Sequence, residues 1–337
     1  MPINERYTRH ELLSVIGKKG QEQLAENRVL IVGCGALGTT IANNLVRSGV
    51  GLVRIADRDI VELSNLQRQM LFDENDIGSP KAIAAACKLE KINSSVIIEP
   101  VVDDINYRNI EDLIKTMDVV ADGTDNMLIR FLINDACVKH AIPWVYGGAI
   151  ETYGMTFNII PSRTPCFKCF IPDVPEPGAL PTCDTVGVLT TIPAIIGSLQ
   201  STEVLKILLR KKDVNKNLIT YDVWNHSFES IQIKKNPNCE CCGKHYFEFL
   251  NGKLKEDIIS LCEKGAIQIS PVKKTVVSFD ELEKKLRHVG EVENRKVILR
   301  CKIQNYELNI FQNGRAIIMG TNDKNLAKSL YAKYIGF

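Results

Sequence analysis

The sequence predicts an α/β protein with a Rossmann-like, mixed but mostly parallel sheet and helices on both faces, followed by a small α+β domain. Strand and helix patterns alternate from Arg28 to about residue 140, as in doubly wound sheets. A glycine motif opens the first helix of that alternation. After Tyr246 the pattern changes to short strands and one helix. We therefore predict a first domain at residues 1–245 and a second at residues 246–337.

The elements of the first domain follow from the spacing of apolar residues. Residues 8–26 predict a helical arm that precedes the first strand at residues 28–32. The alternation then predicts, in order, a helix to about residue 48, a strand at 51–57, a helix at 81–92, a strand at 96–100, a helix at 110–115, a strand at 118–121 and a helix at 130–140.

The remaining segments indicate where the sheet ends and the second domain begins. Residues 153–160 predict a strand that turns antiparallel, and prolines and cysteines at 161–181 predict a long ordered loop. A buried helix at 190–209 and two strands within 218–234 complete the first domain. In the second domain we predict a helix at 279–288 and a hairpin turn at Asn313-Gly314.

Charge and composition exclude several classes of protein. The 42 basic and 40 acidic residues give a formal net charge of +2, which argues against nucleic acid or an anionic membrane as a partner. No apolar run approaches the roughly 20 residues of a membrane span. Because the N-terminal segment is charged, it does not resemble a signal peptide, and a cytoplasmic location is expected. The 11 cysteines are then more readily metal ligands, core residues or reactive thiols than disulfides.

The glycine motif predicts a nucleotide site. Gly33, Gly35 and Gly38 follow a strand and open a helix, where backbone amides and the helix dipole favour phosphate. Asp57 ends the next strand, where a carboxylate can accept hydrogen bonds from ribose hydroxyls. The alternative is a tight structural turn. The motif by itself does not distinguish ATP from NAD or FAD.

The segment after Asp57 favours a triphosphate over a nicotinamide. Asn65, Arg68 and Lys81 offer hydrogen-bond donors and positive charge suited to phosphate groups, whereas a hydride site needs an apolar slot. The alternative is a solvated polar connection. Asp125 follows another apolar strand and could hold Mg²⁺ together with phosphate oxygens, or it could belong to a helix N-cap.

Two cysteine pairs predict a structural zinc site. Cys166 and Cys169 lie about seventy residues before the cluster of Cys239, Cys241 and Cys242, and four thiolates form a closed tetrahedral site. The usual spacing selects Cys239 and Cys242, with Cys241 or His245 as an alternative ligand. Zinc would join the proline-rich loop to the end of the first domain.

A further cysteine is a candidate nucleophile. Cys183 lies in a polar loop just before the long helix, and a thiol near a helix N-terminus can have a lowered pKa. The alternative is an ordinary surface cysteine.

Taken together, these motifs resemble the ThiF/MoeB/HesA family, relatives of ubiquitin-activating enzymes. The resemblance spans about residues 5–245 and rests on the ordered set Arg6–His10, the glycine motif, Asp57–Asp59, Ser64–Gln69, Gly78–Lys81, Thr124–Asn126, the two cysteine pairs and Gly197–Gln200. Residues 246–337 resemble the C-terminal extension of ThiF-type proteins from Gram-positive bacteria, and their role is open.

The resemblance implies an enzyme that uses ATP and Mg²⁺ to adenylate the C-terminal glycine of a ubiquitin-like sulfur carrier ending in Gly-Gly, for thiamine or molybdopterin biosynthesis. A sulfur donor such as a cysteine desulfurase would then act on the adenylate. The carrier and pathway stay open.

The resemblance also assigns roles to individual residues. Asp57 would hold the ribose, with Asp59 on the same nucleotide side, and Asp125 would hold Mg²⁺. Arg9 would reach across a homodimer interface to the triphosphate. Cys183 matches a thiol that some relatives, but not all, link covalently to the carrier. Asn65, Arg68 and Lys81 would bind the phosphates.

Other functions remain possible from sequence alone. The same chemistry could adenylate a peptide or a tRNA-bound threonylcarbamoyl group. An alternative of another class is a dinucleotide-dependent oxidoreductase, which shares the glycine motif and Asp57 but leaves Arg68, Lys81 and Asp125 unexplained.

Overall fold

The computed structural model describes residues 3–176, 183–252, 258–261, 265–271 and 276–336. Its contacts divide the chain into two compact units, Met1–Lys253 and Leu254–Phe337. None of the helices in these described stretches is long and apolar enough to cross a membrane.

An eight-stranded sheet forms the centre of the first unit. Its strands are β1 (Arg28–Val32), β2 (Leu52–Ala56), β3 (Ile97–Val101), β4 (Val119–Asp122), β5 (Trp144–Ile150), β6 (Tyr153–Ile159), β7 (Leu218–Asp222) and β8 (Ser227–Ile231). They lie in the order β3-β2-β1-β4-β5-β6-β7-β8. The first five strands are parallel and the last three antiparallel. The strand order reverses between β1 and β4, where ligands of open α/β sheets bind.

The helices of the first unit connect these strands. They are α1 (Ile3–Arg6), α2 (Thr8–Glu11), α3 (Gly17–Glu26), α4 (Ala36–Arg47), α5 (Lys81–Ile92), α6 (Ile110–Ile114), α7 (Met127–Lys139), α8 (Phe167–Phe170), α9 (Cys183–Val186) and α10 (Thr191–Leu208). The arm predicted at residues 8–26 is therefore two short helices, α2 and α3, rather than one, because residues 12–16 break the helical pattern, and α1 precedes it.

Alternating side chains place helices on both faces of the sheet, as predicted. Val145 of β5 joins the apolar core formed with α4, α5 and α10. Its neighbours Trp144 and Tyr146 point to the other face, where both rings pack against Phe167 of α8. Phe131 of α7 packs edge-on against the same ring.

The first unit extends to Lys253, beyond the predicted domain end at residue 245. Phe249 is buried, and its ring stacks on Phe131 with centroids 5.0 Å apart. Its backbone amide donates to Asp135 Oδ2 at 2.8 Å. The change of sequence pattern after Tyr246 predicts a domain boundary there, but these contacts attach Phe249 to α7.

In its described residues, the second unit is a six-stranded antiparallel sheet with two helices. Its strands are β9 (Ile258–Leu261), β10 (Ala266–Ile269), β11 (Glu291–Asn294), β12 (Ile298–Ile303), β13 (Tyr306–Phe311) and β14 (Ala316–Met319). Their order is β11-β12-β13-β14-β10-β9. The predicted hairpin joins β13 and β14. The helices are α11 (Phe279–Leu286) and α12 (Lys324–Tyr334), so the prediction of a single helix was wrong.

Candidate nucleotide site and metal centre

The glycine loop lies between β1 and α4, at the point where the strand order reverses. Gly33 has φ +87°, and a Cβ there would lie 2.7 Å from the backbone of Gly123, in the loop after β4. A Cβ on Gly38 would lie 1.9 Å from the Gly33 carbonyl oxygen. Both glycines are required by backbone packing within the protein. Gly35 differs, because a Cβ there would make only ordinary contacts of 3.8 Å or more.

Asp57 lies beside this loop at the end of β2. Its Oδ2 accepts the backbone N–H of Cys34 at 2.6 Å, and its Oδ1 accepts that of Asp59 at 2.7 Å. Burial raises the pKa of Asp57 above its usual value, and the charge of Lys81 opposes this. Each carboxylate oxygen can accept a second hydrogen bond, so Asp57 can still bind hydroxyl groups.

Lys81 begins α5 and is buried with only 7% of its surface exposed. Its Nζ lies 3.5 Å from Asp59 Oδ2, and its backbone amide donates to the Asp59 carbonyl at 2.9 Å. Burial would lower the pKa of Lys81, but the carboxylates of Asp59, Asp57 and Asp125 raise it above its usual value. The structure therefore maintains a buried cation beside the glycine loop.

Asp125 lies exposed in the loop between β4 and α7. Because β2 and β4 both run parallel to β1, the loop after β4 that carries Asp125 lies at the same edge of the sheet as Asp57, and the charge of Asp125 raises the pKa of Lys81. The N-cap alternative belongs to the next residue: Asn126 Oδ1 accepts the backbone amides of Leu128 and Ile129. The Asp125 carboxylate is thus not used as a cap.

Arg130, for which the sequence predicts no role, holds this loop in place. Its Nε donates to Asp122 Oδ2 at 3.1 Å, and its Nη2 donates to the carbonyls of Thr124 and Gly147 at 2.6 and 2.9 Å. Burial raises the pKa of Asp122 to about 6, although Arg130 lowers it. An arginine within the apolar pattern of α7 was the available sequence signal.

Asn65 and Arg68 lie in the connection after β2. Asn65 is buried, and the described hydrogen bonds use only its Oδ1, which accepts the Glu62 amide at 3.2 Å. Arg68 is half-buried and donates from Nη1 to the Ser64 carbonyl at 2.9 Å. In the residues that the structure describes, Arg68 has no carboxylate partner, so its charge is available to an anion.

Arg9 makes no described contact with this group, and the structure does not describe where the Cys183 side chain lies relative to it. Arg9 is exposed on α2, and its side chain makes no hydrogen bond or ion pair within the described ranges. Cys183 begins α9, and its side chain lies outside the described part of the chain.

Four cysteines form a compact metal-binding cluster. The sulfur atoms of Cys166, Cys169, Cys239 and Cys242 all lie within 4.8 Å of one another. Cys166 Sγ lies 3.6 Å from Cys239 Sγ, and Cys169 Sγ lies 3.5 Å from Cys242 Sγ. Sulfur atoms bound tetrahedrally to one zinc ion at about 2.3 Å would lie roughly 3.8 Å apart. The donor set and spacing are therefore compatible with zinc.

Cys241 is not part of this cluster, and neither is His245. Cys241 is buried, and its Sγ lies 3.1 Å from Asn134 Nδ2 of α7. Asn134 Oδ1 also accepts the Phe167 backbone amide at 2.8 Å. One side chain of α7 thus contacts both segments that carry the cluster.

The glycine loop, the carboxylates at neighbouring strand ends and the buried lysine define a nucleotide-binding α/β protein with a four-cysteine centre. The chain belongs to the ThiF family, whose model matches residues 7–241.

Relatives support the activity expected of that family. The chain is 39% identical to "Sulfur carrier protein ThiS adenylyltransferase" of Bacillus subtilis, covering 98% of this chain and 99% of the relative. It is 36% identical to "Sulfur carrier protein adenylyltransferase" of Thermus thermophilus, covering 71% and 90%. The predicted adenylyltransferase class is confirmed, and the oxidoreductase alternative is not supported.

A solved structure supports the fold. E. coli MccB, in a crystal structure with MccA-N7isoASN, matches with a TM-score of 0.63 at 23% identity, covering 72% of this chain and 75% of that one. At this identity the likeness concerns the fold alone, and it confirms the predicted architecture.

Proposed function

We propose that this protein is a cytoplasmic, ATP-dependent adenylyltransferase that activates the C-terminal glycine of a ubiquitin-like sulfur carrier. The observation that carries the proposal is the buried, cationic Lys81 among carboxylates beside the glycine loop. This arrangement suits a triphosphate, whereas a nicotinamide ring needs an apolar slot. Similarity over almost the whole chain to the Bacillus enzyme favours a ThiS-like carrier and thiamine biosynthesis.

Each predicted residue has a role in this proposal. Asp57 accepts hydrogen bonds from the ribose, with Asp59 beside it. The three donors Asn65, Arg68 and Lys81 bind the phosphates. Asp125 would hold Mg²⁺, which supplies positive charge to the phosphate oxygens. Two observations support these assignments: the Asp125 carboxylate does not cap α7, and the Nδ2 of Asn65 makes no described hydrogen bond.

The reaction explains why cations are required. A carboxylate oxygen of the carrier forms a bond to the α-phosphorus of ATP, and the bond to the β-phosphate oxygen breaks, releasing pyrophosphate. Two anions must therefore approach one another. Lys81 and Arg68 reduce that repulsion and stabilise the charge on the departing pyrophosphate.

A homodimer would complete the site with Arg9. This side chain is exposed and makes no ion pair with described residues, and two apolar neighbours on the same arm are also exposed: Leu12 at 75% and Val15 at 61%. A second copy that covers these apolar residues would place Arg9 near the partner's triphosphate. In this proposal, Arg9 of each copy completes the nucleotide site of the other, as the sequence predicts.

Pyrophosphate exchange into ATP tests the proposed activity. We expect exchange that requires Mg²⁺ and a ThiS-like or MoaD-like carrier ending in Gly-Gly, and that is lost in Asp125→Ala. Exchange with neither carrier would redirect the substrate to a peptide or a modified tRNA. Failure to bind ATP would overturn the adenylation proposal.

Complementation tests the dimer. Arg9→Ala and Asp125→Ala should each be nearly inactive, and a refolded mixture should regain exchange, because a mixed dimer contains one site with both native residues. If Arg9 acts within its own chain, the mixture stays inactive.

Sulfur transfer would follow adenylation, with a cysteine desulfurase as a suitable sulfur donor. Cys183 remains the predicted site of a covalent link to the carrier. Since adenylation precedes that link, Cys183→Ala should keep pyrophosphate exchange and lose only thiocarboxylate formation. Loss of exchange in this variant would argue against a role confined to the later step.

A further inference from the structure

Gln69 has an unusual environment for a polar side chain. It follows Arg68 in the connection between β2 and α5, and only 3% of its surface is exposed. Its backbone is well bonded, since its N–H donates to the Asn65 carbonyl at 2.9 Å. Its Oε1 is buried without a hydrogen-bond partner, and no described hydrogen bond uses its Nε2.

Other buried amides of the described chain differ in this respect. Gln200 and Asn158 also have an unpartnered oxygen, but their nitrogens are bonded. Gln200 Nε2 donates to the carbonyls of Asp122 and Val145, and Asn158 Nδ2 donates to Glu203. Those amides therefore connect elements of the fold. The Gln69 amide connects none, and burying it without partners costs stability.

The amide of Gln69 faces the glycine loop. A Cβ on Gly35 would lie 3.9 Å from Gln69 Nε2, so this nitrogen borders the space that Gly35 leaves open. Gly35 is the N-cap of α4, a helix of 12 residues whose first N–H groups have no partners within the helix. The Gln69 amide and the helix N-terminus thus offer donors to the same space.

The position of Asp57 indicates which phosphate would occupy that space. Asp57 Oδ2 accepts the backbone N–H of Cys34, the residue next to Gly35. If Asp57 holds the ribose, the phosphate nearest to Gly35 is the one joined directly to the ribose. That is the α-phosphate, on which the carrier carboxylate reacts.

We propose that Gln69 is a further catalytic residue, whose Nε2 donates a hydrogen bond to a nonbridging oxygen of the α-phosphate. This inference rests on the proposed adenylation function. The bond strengthens as the carboxylate adds to phosphorus and charge builds on the nonbridging oxygens. The contribution therefore falls mainly on the rate of the chemical step and little on ATP affinity.

Substitution by residues of similar size tests this role. Gln69→Met keeps the volume and removes both polar atoms, whereas Gln69→Glu places an anion next to the phosphate. The matched control is Gln67→Met, at an exposed position two residues earlier. For each variant we would measure kcat and the KM for ATP in carrier-dependent pyrophosphate exchange, and the thermal unfolding of the free protein.

For Gln69→Met we expect a fall in kcat of about 10- to 100-fold with a KM for ATP within about threefold of wild type. Its unfolding temperature should be equal or higher, because the unpartnered amide is gone. Gln69→Glu should have a lower kcat still, and Gln67→Met should match wild type.

Three outcomes would overturn the inference. A wild-type kcat in Gln69→Met would show that the amide does not act on the reaction. Loss of the fold, or a lowered unfolding temperature, would assign the amide a structural role. If wild-type protein shows no carrier-dependent exchange, the proposed function fails first and the role of Gln69 fails with it.

Discussion

Individual glycines of one motif serve different purposes, which single alanine substitutions can separate. A Cβ on Gly38 would collide with the Gly33 carbonyl, whereas a Cβ on Gly35 would occupy open space beside Gln69. We expect Gly38→Ala to destabilise the protein by on the order of 3 kcal/mol. Gly35→Ala should cost only about 1 kcal/mol of stability, as expected for alanine at a helix N-cap, but bind ATP at least tenfold more weakly.

Thermal unfolding and calorimetric ATP titration would measure both effects. Equal destabilisation by the two substitutions would contradict the distinction. Normal ATP binding by Gly35→Ala would mean that phosphate does not enter this space.

Asp135 makes stability depend on pH. Burial raises the pKa of Asp135 to about 6, while the backbone amides of Phe249 and Leu250 lower it. Because the folded protein holds this proton more tightly than the unfolded chain, the contribution to stability is complete below about pH 4. It is lost as the pH rises through 6.

Asp135→Asn keeps an oxygen that can accept the Phe249 amide but does not titrate. The difference in free energy of unfolding between this variant and wild type should therefore grow in favour of the variant between about pH 4 and 6. It should reach roughly 2–3 kcal/mol at pH 8. Denaturant unfolding at several pH values would measure the difference. A difference that does not change with pH would contradict the raised pKa.

At the scale of elements, the four-cysteine cluster joins two distant segments. Cys166 precedes α8 and Cys169 lies within it, whereas Cys239 and Cys242 follow β8. Cys239→Ser should abolish bound zinc and lower the unfolding temperature, because both segments lose a shared anchor. Cys241→Ala is the matched control and should keep one equivalent of zinc.

Zinc content by elemental analysis, with unfolding before and after chelation, would check this. Zinc retained in Cys239→Ser, or lost in Cys241→Ala, would revise the ligand set. The cysteine spacing alone leaves Cys241 as an alternative zinc ligand. In the structure its sulfur atom contacts Asn134 and is not part of the four-cysteine cluster.

The sequence predicts elements better than it predicts what they contact. Strand ends followed by polar residues located Asp57 and Asp125, because the parallel topology fixes where those turns meet. α12 was missed although its buried residues, Ala327, Leu330 and Tyr331, are spaced as on one face of a helix. Gln69 was not predicted to have a role, since an unpartnered buried amide is recognised only from its surroundings.

At the scale of the whole molecule, the two units have separate cores. Leu299, Leu308 and Ile318 belong to a core formed within the second unit. The family model also lies wholly within the first unit, since it matches residues 7–241.

We expect residues 1–253 alone to fold cooperatively and to retain pyrophosphate exchange within about tenfold of the full chain. All the residues proposed to bind ATP, and all four cysteines of the cluster, lie in this unit. Ending the chain at residue 245 instead should destabilise it, because the stacking of Phe249 on Phe131 and the Asp135 hydrogen bond are then lost. Circular dichroism, zinc content and exchange would compare the two truncations. A folded, zinc-bound 1–253 protein without exchange would mean that the second unit takes part in the reaction, for example by binding the carrier.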